Sequence, residues 1–211
     1  MFVVVASSRD RIAARLVARW GADRARLLTC RDLSRAGWRY RPGAADRGVA
    51  VIGGQRVPAA EVDGVLVRLP CVSVAELAHI APVDRPYVAR EMTAFLTAWL
   101  TDLPCPVVNR PSAACLAGPG WGAQQWRQVT RRLGLAIVGR GRRSSSVTVV
   151  GERSLGAASG SASAHRLAEA AAMTLLDVHF DPQQRVVAID PWPDVSRPAV
   201  ADALLEYLQR S

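Results

Sequence analysis

Lysine is absent from this sequence. All 27 basic residues of the 211-residue chain are arginines, and 18 acidic residues leave a net charge of +9. A chain without an ε-ammonium group excludes Schiff-base chemistry and the phosphate-binding loop that depends on a lysine. The composition is rich in alanine and arginine, which is typical of a GC-rich genome, so the surplus of arginine does not by itself indicate a ligand.

Long apolar runs and paired cysteines are also missing. No run approaches the roughly 20 apolar residues of a membrane helix, and the chain start lacks the basic segment of a signal sequence. We therefore expect a cytoplasmic protein with no membrane partner. The arginines are dispersed apart from residues 140–143, so we do not expect a nucleic-acid partner. Cysteines without metal-ligand spacing predict buried, reduced thiols at Cys30, Cys71, Cys105 and Cys115.

The first half of the chain predicts an α/β arrangement. Residues 2–6 form a β-branched run, and residues 12–20 repeat apolar positions at helical spacing. A longer helical pattern covers residues 85–103, and glycines at 53 and 54 predict a hairpin between 48–52 and 55–57. Further buried strands are predicted at residues 27–30, 62–68 and 107–108.

The second half predicts a similar mixture with two linkers. Residues 139–146 predict a flexible basic linker of glycine, arginine and serine, and small residues fill a second stretch at 157–164. Helices are predicted at 123–133, 165–176 and 198–209, strands at 135–138 and 147–150, and a hairpin between 178–180 and 185–189.

Three features could carry chemistry. Arg68 ends a buried strand, where side chains of open α/β sheets face a ligand crevice, although pairing with a local carboxylate is an equal alternative. Trp121 follows a glycine-rich loop and could stack on a ligand or anchor a partner. Asp177, His179 and Asp181 alternate, so an extended chain would present them on one face, but a solvent face ending in a turn explains the same pattern.

Several segments together resemble the ATP-grasp ligases, in particular the peptide-modifying and glutamate-ligase-like branch. The collinear segments are residues 62–68, Tyr87-Val88 with Glu91, and residues 106–111, 133–138, 147–153 and 188–193. The resemblance implies a pre-ATP-grasp-like open-sheet lobe at residues 1–116 and a shortened ATP-grasp C-terminal lobe at residues 117–211. Its candidate ligand-binding residues are Arg68, Glu91, Asn109 and Arg110, with Trp121 added from the glycine-rich loop.

The chain departs from that family where the nucleotide would bind. Eight residues, 139–146, stand in place of the lid lobe, and the lysines that contact ATP phosphates have no counterpart. Alignment on Pro191 puts Ala188 at a metal-binding carboxylate and Asp190 at an asparagine. The other carboxylate falls at Asp177 or His179, so Asp177, His179 and Asp190 are degenerate metal-site positions. We assign no catalytic residue and no metal, and expect neither ATP nor magnesium as a cofactor, because phosphoryl transfer depends on positioning and charge stabilisation.

These observations predict a non-catalytic binding or accessory protein in bacterial peptide or natural-product modification. Its partner would be a precursor peptide or a full-length ATP-grasp enzyme. One alternative is a minimal ATP-dependent carboxylate-amine ligase or transferase that a partner subunit completes. A third hypothesis is a homodimer that pairs through the helix at 85–103 or through the shortened lobe.

Overall fold

The part of the chain that the structure describes folds into two four-stranded sheets, a separate hairpin and six α-helices. A computed structural model describes residues 1–139 and 141–210, apart from the side chain of Asp46. Arg140, part of the basic cluster at 140–143, lies outside the described residues. The strands are β1 (Phe2–Val5), β2 (Ala25–Leu28), β3 (Val49–Ile52), β4 (Gln55–Pro58), β5 (Gly64–Val67), β6 (Val107–Val108), β7 (Ser145–Val150), β8 (Arg153–Gly156), β9 (Leu175–Phe180) and β10 (Val186–Asp190).

The helices connect and cover these strands. None of those in the described part of the chain is both long enough and apolar enough to cross a membrane. The helices are α1 (Arg11–Trp20), α2 (Cys30–Leu33), α3 (Arg85–Asp102), α4 (Ala123–Arg132), α5 (Ser161–Ala170) and α6 (Pro198–Arg210).

The first sheet is parallel, with the strand order β2-β1-β5-β6. Its strands are almost continuously apolar, as expected for a sheet covered on both faces. Val3, Val5 and Val65 belong to a core with α3 and the β3-β4 hairpin. Phe2 and Val4 point to the opposite face, which packs against α1 and α6. Successive side chains along each strand therefore pack into two separate cores, one on each face of the sheet.

A side-chain cap begins α1 directly after β1. The Asp10 carboxylate accepts hydrogen bonds from the Ile12 and Ala13 N–H groups at 2.9 and 3.0 Å. These are two of the amides that a helix start leaves without partners. The polar turn after β1 therefore fixes where the chain enters α1.

The second sheet is antiparallel, with the order β10-β9-β7-β8. Val147 and Val149 of β7 and Val178 of β9 lie on the face that packs against α5 and Trp126 of α4. Alternation places Thr148 of β7 and Asp177 of β9 on the opposite face. This second face also carries His179 of β9, two residues beyond Asp177.

Helix α6 joins the two halves of the molecule. Its residues Val200, Leu204 and Leu208 share one core with Phe2 of the parallel sheet and Val150 of the antiparallel sheet. One helix therefore buries apolar surface from both sheets. The boundary predicted between residues 116 and 117 falls in the loop that joins β6 to α4, and the division into two lobes stays a prediction.

Most of the strongly periodic segments are confirmed. The structure contains the predicted helices near 12–20, 85–103, 123–133 and 198–209, the 48–57 hairpin and the strand at 107–108. The strand predicted at residues 27–30 has the wrong bounds. Asp32 accepts hydrogen bonds from the N–H and hydroxyl of Thr29, and this cap starts α2 at Cys30. Strand β2 consequently ends at Leu28.

Three other predictions in the second half require correction. The small residues at 157–164 form a 3-10 turn and the first turn of α5, since Ala164 packs into the core beside Leu167. The predicted helix at 165–176 is divided, because the chain turns at Ala172 (φ 49°) and enters β9. The strand predicted at 135–138 is reduced to one bridge between Ile137 and Val186.

The cysteines are free thiols, as expected, but their burial differs from the prediction. Cys30 and Cys115 are buried, whereas Cys71 is exposed and Cys105 lies between the two. Burial, aided by the nearby Glu76 carboxylate, raises the pKa of Cys30 to about 12. Its thiol therefore stays protonated at neutral pH, and thiols in that form are weak nucleophiles.

We expect Leu204→Ala to destabilise the whole molecule by about 2–5 kcal/mol, because it removes a fully buried side chain from the core that both sheets share. The free energy of unfolding in urea measures this effect. Leu205→Ala is the matched control, since Leu205 is only partly buried beside the same core. Equal losses for the two variants would contradict the packing role of Leu204.

Candidate functional site

A row of polar side chains crosses the face of the antiparallel sheet that lies opposite α5. Thr148 of β7, Asp177 of β9 and Asp190 of β10 are register neighbours on three adjacent strands. The next row places Ser146 beside His179 and His179 beside Ala188. The structure thus brings together all three residues predicted as degenerate metal-site positions.

Hydrogen bonds link this row to the segment before α6. The Arg197 guanidinium donates to the Thr148 hydroxyl at 2.8 Å, and that hydroxyl donates to the buried Asp177 carboxylate at 3.3 Å. His179 Nε2 lies 3.8 Å from the other oxygen of the same carboxylate. One oxygen of Asp190 accepts the Trp192 N–H at 2.8 Å. Each carboxylate therefore has a partner within the chain.

These residues do not fit a magnesium site. Magnesium takes oxygen ligands in near-octahedral geometry. Ala188 supplies no oxygen at the carboxylate position, and the Arg197 guanidinium binds the hydroxyl that contacts Asp177. No three His, Cys, Asp or Glu side chains in the described part of the chain converge as metal ligands.

Arg68 directly follows β5, and its side chain is buried and bound within the chain. Its Nε donates to Asp10 at 2.8 Å and its Nη1 to the Pro193 carbonyl at 3.0 Å. Only 7% of its side chain is exposed. These contacts agree with the local-carboxylate alternative, and they tie the cap of α1 to the loop after β10. A ligand contact at Arg68 stays a prediction.

Asn109 directly follows β6 and lies buried at the junction of the two sheets. Its Oδ1 accepts the N–H groups of Thr174 and Leu175, both at 2.9 Å, and its Nδ2 donates to the Leu175 carbonyl at 2.9 Å. The residue adopts φ 53°, which asparagine tolerates better than most residues. Its side chain therefore links the start of β9 to the end of β6 by hydrogen bonds.

The other two crevice candidates lie elsewhere. Arg110 donates to the Leu100, Thr101, Leu103 and Cys105 carbonyls at 3.0–3.3 Å. It thereby satisfies carbonyl groups that the end of α3 leaves without amide partners. Glu91 is exposed on the middle of α3. The five sequence-predicted ligand residues consequently do not converge on one point.

Trp121 is the candidate that lines a cavity. The loop preceding it turns through Gly118 and Gly120, both with positive φ, and Trp121 then packs edge-on against Trp126 at a centroid distance of 5.0 Å. Both rings line a cavity of about 170 Å³ together with Trp192 from the loop after β10. Sequence reasoning included Trp192 only in the family-like segment at 188–193.

Two further residues were missed from the sequence. Arg197 and Thr148 complete the polar row, but Arg197 looks like any other arginine before a helix and Thr148 like any strand residue. Only the alternation of Thr148 with the apolar Val147 and Val149 indicated that it faces away from the core.

No protein-family model matches the sequence, and no curated protein matches it significantly. The solved structure of PsnB, an ATP-grasp ligase complexed with minimal precursor, Mg and ADP, matches with TM-score 0.70 and 12% identity over 99% of this chain and 98% of that chain. The fold is that of the ATP-grasp ligases.

Two other ATP-grasp structures match along nearly the whole chain. The macrocyclase MdnC from Microcystis aeruginosa, bound with precursor peptide MdnA, gives TM-score 0.66 at 13% identity, covering 99% of both chains. A RimK domain protein from Sphaerobacter thermophilus gives TM-score 0.52 at 14% identity, covering 97% of this chain and 100% of that chain. The ATP-grasp resemblance and α/β fold class predicted from the sequence are thus confirmed.

The ATP-grasp fold here has a short connection in place of a lid lobe. The Val138 N–H still bonds to the Val186 carbonyl, and the Ser144 N–H bonds to the Phe180 carbonyl. Both ends of the connection are therefore tied to the hairpin formed by β9 and β10, and no helix or strand lies between residues 138 and 145 where the structure describes them.

We expect Asn109→Ala to cost about 2–4 kcal/mol, because it leaves two buried amides and a carbonyl of residues 174 and 175 without partners. Asn109→Gly separates the side-chain bonds from the backbone conformation. It should cost about 1 kcal/mol less than alanine, since glycine adopts positive φ without strain. Urea unfolding checks both values. A glycine variant as stable as the parent would contradict the role of the amide.

Acid should weaken the Asp10–Arg68 contact. Burial alone would raise the pKa of Asp10, but hydrogen bonds from the Ala13 N–H and Arg68 outweigh it and hold that pKa below its ordinary value. Ionised Asp10 therefore stabilises the fold above the unfolded-state pKa of about 3.9, and this contribution is lost as pH falls through the lower folded-state pKa.

The measurement is the urea midpoint between about pH 2 and pH 6. Asp10→Asn should lower the midpoint at pH 6 and flatten its decrease in acid. The exposed Asp23 provides the control, since Asp23→Asn should follow the parent at every pH. If Asp10→Asn keeps the acid slope of the parent, the carboxylate does not make this contribution.

Proposed function

We propose that this chain is a non-catalytic binding protein derived from the ATP-grasp fold, acting in the cytoplasm in bacterial peptide or natural-product modification. Its partner is a precursor peptide or a full-length ATP-grasp enzyme. The observation that carries the proposal is an ATP-grasp fold without lysine, in which strands β9 and β10 hold Ala188 opposite His179.

Charge stabilisation is the physical reason for assigning no ligase activity. Phosphoryl transfer depends on cations that neutralise and position the β- and γ-phosphates. Here one ligand position is apolar, and Arg197 is bound to the hydroxyl beside Asp177. The connection at 139–146 has eight residues, too few to form a lobe that covers a nucleotide. Several stabilising contributions are lost together, and we infer that ATP and magnesium are not cofactors.

The solved relatives support a peptide as partner. MdnC was crystallised with precursor peptide MdnA, and PsnB with its minimal precursor. A chain that retains the fold without the nucleotide-binding groups could keep peptide recognition while losing the reaction. The net charge of +9 further favours an acidic peptide, because long-range attraction steers oppositely charged partners together.

Calorimetry with magnesium-ATP tests the non-catalytic assignment. We expect no saturable heat at ligand concentrations up to about 1 mM, the range in which ATP-using enzymes have their Michaelis constants. PsnB, which binds Mg and ADP in its solved structure, is the positive control. Binding with a micromolar dissociation constant would refute the proposal.

The same preparations distinguish the alternative of a ligase that a partner completes. A partner could supply the missing cations in trans, as arginine fingers do in other phosphoryl-transfer enzymes. ATP turnover that appears only when the chain is mixed with a co-purifying ATP-grasp enzyme, and that requires Asp177, would favour this alternative. The accessory role would be favoured if the partner turns over ATP alone, and if mixing it with this chain or with its Asp177→Asn variant gives the same rate.

A further inference from the structure

The cavity beside Trp121 is built from separate parts of the chain. Trp121 comes from the loop before α4, Trp126 from α4, and Trp192 from the loop after β10, and we call the space among them the tryptophan pocket. Pro70, which follows β5 by three residues, and Pro191 complete two of its walls. Loops that follow strands of both sheets therefore contribute to it.

The pocket is apolar and of defined size. Its volume is about 170 Å³, and no charged side chain among the described residues lines it. An engineered apolar cavity of about 150 Å³ in another protein binds benzene. The tryptophan pocket thus has room for one phenyl ring and not for a larger cofactor.

The indole N–H groups provide a second, independent observation. Trp20 and Trp38 donate their N–H groups to the Ala201 and Asp32 carbonyls at 3.1 and 2.9 Å. The three pocket tryptophans and Trp99 have no such acceptor among residues 1–139 and 141–210. In that part of the chain Ser145 Oγ is the one polar side-chain atom that is both fully buried and unpaired, so the pocket N–H groups reach solvent and can donate to a guest that brings carbonyl oxygens.

We propose that the tryptophan pocket binds one phenylalanine side chain of a partner peptide, with the indole N–H groups available to the peptide carbonyls. Aromatic rings prefer the edge-to-face arrangement that Trp121 and Trp126 already make at 75°. An ammonium group is the other common guest of an aromatic cage. No carboxylate lines the pocket to favour it, and the net charge of +9 opposes a cation. That the ring belongs to a peptide rests on the proposed function.

The test uses N-acetyl-L-phenylalaninamide, a neutral probe with one phenyl ring and two carbonyl groups. We expect a dissociation constant on the order of 1 mM, in keeping with the small number of atoms in the probe. The six indole N–H resonances, recorded by proton–nitrogen NMR and assigned with single Trp→Phe variants, provide the readout. Trp121, Trp126 and Trp192 should shift, while Trp20, Trp38 and Trp99 should not.

Two further probes define the guest. N-acetyl-L-alaninamide has the same carbonyl groups without a ring, and N-acetyl-L-lysinamide carries an ammonium group. Neither should produce the selective shifts. Equal shifts with the alanine probe, stronger shifts with the lysine probe, or no selective shift with the phenylalanine probe would each overturn the proposal.

A matched pair of variants locates the binding. Trp121→Ala removes a partly exposed wall of the pocket and should weaken the probe about tenfold or more. Tyr87→Ala removes an aromatic ring that is 61% exposed on α3 and should leave binding unchanged. Equal effects of the two variants would place the probe elsewhere. Failure of this titration would remove the pocket proposal and leave the magnesium-ATP result unaffected, so the two proposals can fail separately.

Discussion

The hydrogen bonds of one buried asparagine hold the parallel and antiparallel sheets in their relation to each other. Asn109 ends β6 in a left-handed conformation and engages both backbone groups of Leu175, where β9 begins. A longer amide side chain or a branched residue could not make the same bonds from this backbone conformation. Because β9 carries Asp177 and His179, the position of these polar side chains depends on the hydrogen bonds between Asn109 and Leu175.

Several arginines of this chain form hydrogen bonds within the fold and not with a ligand. Arg68 binds a helix cap and a loop carbonyl, Arg110 satisfies the end of α3, and Arg197 binds the polar row. A guanidinium group has several donors in a planar fork, so one side chain can satisfy several carbonyls at once. Candidate binding residues chosen by charge alone therefore turn out to stabilise the connections between elements.

Sequence reasoning succeeded where one physical signal dominated a segment. The continuous β-branched run of β1 and the apolar spacing of α6 are strong local signals, and both elements lie close to their predicted positions. It failed where local chemistry competed with that signal. The capping pair Thr29 and Asp32 ended β2 early, and the small residues before α5 resembled a linker until Ala164 found a core to pack against.

The site was less predictable than the fold because its partners are distant in the sequence. Register alone placed Asp177 beside Asp190, and alternation correctly put Asp177 and His179 on one face. The acceptors of Arg110 and the donor to Thr148 have no local signature, since they are chosen by how the elements meet in space. The three tryptophans of the pocket likewise come from segments that only the folded chain brings together.

The placement of α6 has a consequence for biosynthesis. This helix follows all ten strands in the sequence, yet it covers Phe2 and Leu66 on one sheet and Val150 on the other. While the ribosome is still producing the intervening segments, that apolar face stays open to water and to other nascent chains. Domains tend to fold as units during translation, and here the unit closes only after α6 emerges. Chaperone protection of the nascent chain is thus most valuable in the interval before α6 is released.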